Sequence, residues 1–271
     1  MRFDMHIHSI YSPDSDSSIE NIYEEAKAKG LDGIAITDHN SFAGSKAAME
    51  KGFKDFIIIP GAEYSTEMGH LLVYFLREGL EEKGLTRDKL GRFKSSDIIE
   101  AAHKQDAIVF IAHPFSRGQL PDTSILKQVD GIEAYNSRAA KWINTRCNLD
   151  AMDHALRFKK PISAGSDAHC ICEIGNAFID IDVNSSNLDD IKSALISERC
   201  TIYGKTSSSI HKVRSDYVKC KKSRKYNPLR LLIKLLFFSA AEAILKAGLS
   251  KAPEEGIYSF KNERIERNDF I

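Results

Sequence analysis

The first forty residues, "MRFDMHIHSIYSPDSDSSIENIYEEAKAKGLDGIAITDHN" (1–40), contain a strand, a helix and a second strand in succession. In MRFDMHIH, Phe3, Met5 and Ile7 alternate with Asp4, His6 and His8, the period of an extended strand. Residues i and i+2 share a face, so His6 and His8 project side by side. Ser17 or Ser18 ahead of Glu20 opens an apolar-periodic helix, and Gly30 closes it. LDGIAIT then returns to strand.

The same alternation continues outward through FIIIPG, HLLVYFL, SSDIIEAAHKQD, AIVFIAH, DGIEAYN, NLDAMDHALRFKK, PISAGS and LDDIKSALISE. This βαβα order predicts an α/β fold with parallel strands and crossover helices over residues 1–205. Residues 206–271 read as an appendage. Between His211 and Lys225 stand seven Lys or Arg and one acid, Asp216, a run expected to be a solvated connector. A helix is expected from Pro228 to Ala247, closed by Gly248. Its charges are limited to Arg230, Lys234, Glu242 and Lys246, so its broad apolar surface is expected to be buried, against the outer helices or against a second copy of the chain.

Composition sets the outer limits. The 38 basic and 38 acidic residues cancel, so overall charge argues for neither a nucleic-acid nor an acidic-membrane partner. Five cysteines without paired CxxC spacing fit a reducing cytoplasm. The start lacks a secretory pattern, and Lys234, Glu242 and Lys246 interrupt the most apolar segment, so no membrane span is expected. Cys170 and Cys172 read as small apolar residues, and His103, His154 and His211 as ordinary helix or tail positions.

Each apolar run ends on a residue able to bind a metal: His6 and His8, Asp38 and His39, Glu63, His113, Asp167 and His169. In a parallel barrel, strand C-termini converge at one face. Six of the nine histidines lie at such ends, His70 among them. With Asp14, Glu63 and Asp167 they supply nine donors, enough for two or three divalent ions at three to four ligands each. Zinc, manganese or iron suits such donors.

The motifs DMHIHS, TDHN, PGAE, GH, AHP, GIEAYN and GSDAH, in this order over residues 1–205, resemble the PHP (polymerase and histidinol phosphatase) phosphoesterases. The resemblance implies a distorted (β/α)7 TIM-like barrel with a trinuclear site. It implies that His6, His8, Glu63 and Asp167 hold one ion, that bridging Glu63 shares a second with His70 and His113, and that Asp14, His39 and His169 hold a third. Asp16 lies two residues beyond Asp14. Glu133 in GIEAYN is expected to support the site from behind.

Clustered divalent ions supply hydroxide near neutral pH and clamp a phosphoryl group. The expected function is therefore hydrolysis of phosphomonoesters, of nucleotides or other small phosphorylated metabolites, by a metal-bridging hydroxide. Glu63, Asp167 and His39 are the expected catalytic residues, with Asp38 or His39 handling the leaving-group proton. Arg117 and Arg138 are the expected substrate contacts. No inserted cap is expected between His70 and His113, which leaves the site open. Two competing readings are a nuclease or DNA-repair accessory whose basic run tracks a phosphate backbone, and a non-catalytic, metal-stabilised regulatory module.

Overall fold

The computed structural model describes all residues except 117–122, 142–143, 198–199, 225–226, 251, 262–263 and 269–271. The first half of the chain comprises β1 (Arg2–Ile7), α1 (Ile19–Ala28), β2 (Gly33–Ile36), α2 (Ala43–Lys51), β3 (Ile57–Thr66), β4 (Gly69–Tyr74), α3 (Ser95–His103), β5 (Ile108–Ile111), α4 (Thr123–Leu126) and β6 (Gly131–Asn136). The second half comprises α5 (Cys147–Arg157), β7 (Ile162–Gly165), β8 (Ala177–Ile181), α6 (Leu188–Leu195), β9 (Cys200–Gly204), α7 (Ser209–Lys222), α8 (Pro228–Lys246), β10 (Gly256–Lys261) and β11 (Arg264–Asn268).

The opening βαβ unit forms as its sequence dictates. Ser18 caps α1 by accepting the Asn21 N–H at 3.2 Å, and Gly30 ends the turn with a positive φ of 72°. Ile19, Ile22 and Ala26 then share one buried face and pack with Ile7, Ile34 and Ile36 of β1 and β2. Each fully buried isoleucine contributes about 1.5–3 kcal/mol relative to exposure. A larger core gathers Phe3, Met5, Tyr64, Leu72, Tyr74, Phe110 and Tyr135.

The architecture is α/β, and the strands form a mixed sheet whose ladders do not close into the distorted barrel that the resemblance implies. Its order is β11-β10-β9-β8-β1-β2-β3-β4-β5-β6-β7. Pairing is parallel for β1–β2, β2–β3, β5–β6 and β6–β7, and antiparallel for β3–β4, β4–β5 and the run from β1 through β8 to β11. Between β7 and β1 the ladder is reduced to one bridge. Arg2 and Phe3 of β1 already pair with Asp180 and Ile179 of β8. On the other side, the chain leaves extended geometry after β7, with Asp167 at φ 54°. A single parallel bridge, Ile7 to Ala168, is what joins β7's extension to β1. The approach is close nonetheless: a Cβ on Gly165 would lie 2.3 Å from the His6 Cβ, so a side chain there would force the two backbones apart.

Residues expected to be a solvated connector form α7 instead. Ser208 caps it by accepting the Ile210 N–H at 3.2 Å, and Val213 and Val218 are buried beneath it. Lys222 Nζ donates to the carbonyls of Ile10, Ser12 and Ser15 at 2.6–2.7 Å, which satisfies a charge that the sequence suggests is solvated. The helix expected from Pro228 is α8, capped by Asn227, whose side chain accepts the Arg230 N–H at 3.0 Å. It is tied to α7 through Ser208 with Glu242 and Asp216 with Lys234. Leu229, Leu232, Ile233, Leu236 and Phe237 remain exposed on it. Among the described residues, no helix is long and apolar enough to cross a membrane.

Candidate metal centre

β1 and the residue that follows it carry His6 and His8 into the interior, where both are fully buried. The Nδ1 of His6 meets Glu133 Oε1 at 2.8 Å, which fixes the proton there and leaves Nε2 directed into the site. His6 Nε2 lies 3.1 Å from His8 Nε2, 3.5 Å from Glu63 Oε2 and 3.6 Å from Asp167 Oδ1. His8 Nε2 in turn lies 3.4 Å from Glu63 Oε2 and 3.2 Å from Asp167 Oδ1. These four atoms surround one point.

The other Glu63 oxygen, Oε1, faces His70 Nδ1 at 2.7 Å and His113 Nε2 at 2.9 Å. Asp14 gathers a third set: its Oδ2 lies 3.6 Å from His39 Nε2 and its Oδ1 3.5 Å from His169 Nε2. His169 donates from Nδ1 to the Asp167 carbonyl at 2.8 Å, so its Nε2 lone pair is the one turned inward. All nine residues nominated as ligands thus come together. Asp16 is not among them; it points outward toward Arg214.

The donor set fits metal ions on three observations. Triads of donor atoms within 4.8 Å of one another occur at His6, His8 and Asp167, at His8, His39 and His169, and at His39, Glu63 and His70. Buried Asp14 Oδ1, His39 Nδ1 and Glu63 Oε2 have no hydrogen-bond partner. The last two lie 2.8 Å apart without hydrogen-bond geometry, as converging ligands do. Burial opposes charge on Glu63, yet His70, His39 and His6 outweigh it and hold the carboxyl well below its usual range. Asp167 is likewise held low against burial by His6, His8 and His169. Burial and neighbouring His39 push His8 down to about 4, so it is a neutral ligand at neutral pH. Backbone strain collects here too, with His113 at φ 29° and Asp167 at φ 54°.

Other nominated residues fall elsewhere. Asp38 is consumed by Ser9, whose backbone N–H and hydroxyl both donate to it at 2.6 Å; burial raises it to about 6 despite these bonds. Arg117 lies outside the described residues. Arg138 lines the cleft above the cluster, but its Nε pairs with Glu173 Oε1 at 2.9 Å and its Nη2 donates to Ser215 at 2.8 Å. His103 pairs with Asp130 at 2.9 Å, and His154 packs edge-on against Phe115. His211, expected in an ordinary tail, contacts Cys172 and Glu173.

The cleft has a volume of about 460 Å³ and is roofed by α7, a cap that the sequence reading did not anticipate. Lys212, Ser215, Asp216 and Lys219 line it at i, i+3, i+4 and i+7, one face of the helix. That spacing was the available signal, hidden inside what looked like a charge run. Lys219 Nζ reaches to 3.8 Å from Asp14 Oδ2. Across the cleft, burial and the adjacent Lys212 push Lys141 down to about 7. Three lysines facing one cavity attract an anion.

A family model described as PHP domain matches residues 4–235. An uncharacterized protein of Methanocaldococcus jannaschii is 28% identical over 201 residues, covering 70% of this chain and 75% of that protein. A phosphoribosyl 1,2-cyclic phosphate 1,2-diphosphodiesterase of Eggerthella lenta is 35% identical over 83 residues, 29% of this chain and 31% of its own length. Among solved structures, a two-domain protein from Bacteroides vulgatus containing a predicted PHP-like metal-dependent phosphoesterase superposes with a TM-score of 0.61 at 22% identity, over 81% of this chain and 70% of that one. PsfC from Pseudomonas syringae gives a TM-score of 0.58 at 18% identity, over 81% and 98%.

Proposed function

The chain belongs to the PHP-domain family, and from that premise we propose that it is a metal-dependent phosphoesterase hydrolysing phosphomonoesters of nucleotides or other small metabolites. The observation that carries this reading is the convergence of nine nitrogen and oxygen donors beneath a cleft lined by Lys141, Lys212 and Lys219. His6, His8, Glu63 and Asp167 would hold one divalent ion, Glu63, His70 and His113 a second, and Asp14, His39 and His169 a third. Zinc, manganese or iron bound there supplies an acidified water as nucleophile and offsets charge on the phosphoryl oxygens.

The chain's own residues do the remainder. Glu63 and Asp167, held ionised by their histidines, keep negative charge on the floor of the cleft. Glu133 orients His6 through Nδ1 and receives the His113 N–H at 2.6 Å, tying two ligands to one carboxylate. Lys141, Lys212 and Lys219 bind the phosphate and any further anionic group of the substrate. Arg138 divides its guanidinium between Glu173, Ser215 and the cleft. His39 turns Nε2 toward Asp14 and Nδ1 toward Glu63, so it would serve the site as a ligand and not as carrier of the leaving-group proton.

Three cations of the basic run point inward: Lys212 and Lys219 to the cleft and Lys222 to backbone carbonyls. This placement favours a small phosphate over a nucleic-acid backbone tracked along the surface. Exhaustive chelation of the purified protein is expected to abolish hydrolysis of phosphomonoesters, with recovery on adding Mn²⁺ or Zn²⁺. Full turnover after verified metal removal would overturn the reading.

A further inference from the structure

Cys170 and Cys172 follow His169 directly, in a tight turn that brings their Sγ atoms to 2.9 Å. From α7, 39 residues further on, His211 places its Nε2 3.6 Å from Cys172 Sγ. All three donor atoms lie within 4.8 Å of one another. None belongs to the nine donors beneath the cleft. We propose that Cys170, Cys172 and His211 form a separate zinc site that fastens α7 to the segment carrying His169.

The chemistry of the donors selects the ion. Two thiols and one imidazole suit zinc, whereas the oxygen-rich set of the cleft also accommodates harder cations. With Zn–S near 2.3 Å and Zn–N near 2.0–2.1 Å, neighbouring ligand atoms in a tetrahedron stand about 3.5–3.8 Å apart. The Cys172–His211 separation already meets this value, and the two sulfurs need to part by only about 0.9 Å.

The histidine is also set up from behind. His211 Nδ1 is buried and without a hydrogen-bond partner, and Glu173 Oε1 faces it at 3.5 Å. A carboxylate facing one ring nitrogen favours the proton on that side, which leaves the other nitrogen's lone pair toward the thiols. Arg138, paired with the same Glu173 oxygen at 2.9 Å, holds that carboxylate in place. The fourth position is left to water on the side of exposed Cys172. Because Lys212 follows His211, an ion here fixes the roof of the cleft without touching the reacting groups.

The test compares the full-length protein with Cys172→Ser, a change at an exposed position that leaves the core intact. Both are loaded with Zn²⁺, desalted and assayed for metal per chain, then reloaded with Co²⁺ and examined for the thiolate-to-cobalt charge-transfer band. The wild type is expected to carry ~one zinc equivalent more than Cys172→Ser and to show the band, which the variant lacks. Asp167→Asn, which weakens the cleft cluster, is expected to keep the thiolate band, so failure of the phosphoesterase reading is distinguishable. Equal zinc content in wild type and Cys172→Ser, with no cobalt band, would overturn the proposal. So would two thiols that react with alkylating reagent only after reduction, which would make the pair a disulfide.

Discussion

His6 Nε2 and His8 Nε2 face each other at 3.1 Å inside a fully buried site, a distance at which at most one of them can carry a proton. Their shared direction follows from strand period alone, and their shared target is Asp167 Oδ1. Replacing that carboxylate by its amide, Asp167→Asn, keeps the shape and removes the charge. Turnover is expected to fall about 100-fold or more, with the thermal midpoint little changed. His103→Ala, remote from the cleft, is expected to stay within twofold. Equal losses in the two variants would contradict the assignment of the cluster.

Glu133 supports two ligands at once, through His6 Nδ1 and the His113 backbone N–H. Glu133→Gln is expected to weaken metal affinity by about 10–100-fold, measured by competition with a metallochromic chelator. Unchanged affinity would show that the ring of His6 is oriented by its packing alone.

The cleft lysines set a pH dependence. Burial and Lys212 lower Lys141 to about 7, so Lys141 carries its charge below that pH and loses it above. Anion binding through Lys141 is therefore present in acid and lost as pH rises through about 7, and KM is expected to climb on the alkaline side while kcat holds. Lys212→Ala removes one cation and the repulsion on Lys141 together. It should raise KM about tenfold at pH 6 and move the alkaline limb upward. A KM profile identical to wild type would place both lysines outside the substrate path.

The exposed stripe on α8, Leu229, Leu232, Ile233, Leu236 and Phe237, repeats at i, i+3, i+4, i+7 and i+8. An apolar stripe of this kind favours self-association. Leu232→Glu combined with Leu236→Glu is expected to shift sedimentation toward the monomer; identical sedimentation would remove the second-copy reading of this helix.

Much of this site was legible because the signals were local. Strand-end histidines and carboxylates announce themselves one residue at a time, and the converging strand ends of an α/β sheet bring them together. Ser18 and Gly30 were legible for the same reason, since caps act within a turn. The pairing of β8 with β1 was not, because it joins residues 170 or more apart in sequence. Nor was α7: Val213 and Val218 are its buried anchors, its cleft face consists of lysines and a serine, and the carbonyls of Ile10, Ser12 and Ser15 that hold Lys222 lie some 200 residues upstream. The contact of His211 with Cys172 depends on that helix and was hidden with it.

Gly204 at the end of β9 and Gly256 at the start of β10 are antiparallel partners, so the polypeptide leaves the sheet and returns to it at neighbouring positions. Both feet of the α7–α8 excursion therefore stand on the same spot, and Tyr258 and Phe260, buried beyond it, hold the returning strand whatever the excursion does. An outgrowth rooted in this way can lengthen, shrink or be exchanged without disturbing the ladder beneath it. A short turn joining the two glycines would be geometrically sufficient in its place. Variation there would reshape one wall of the cleft while donor residues such as His6 and Glu63 stay anchored by the sheet.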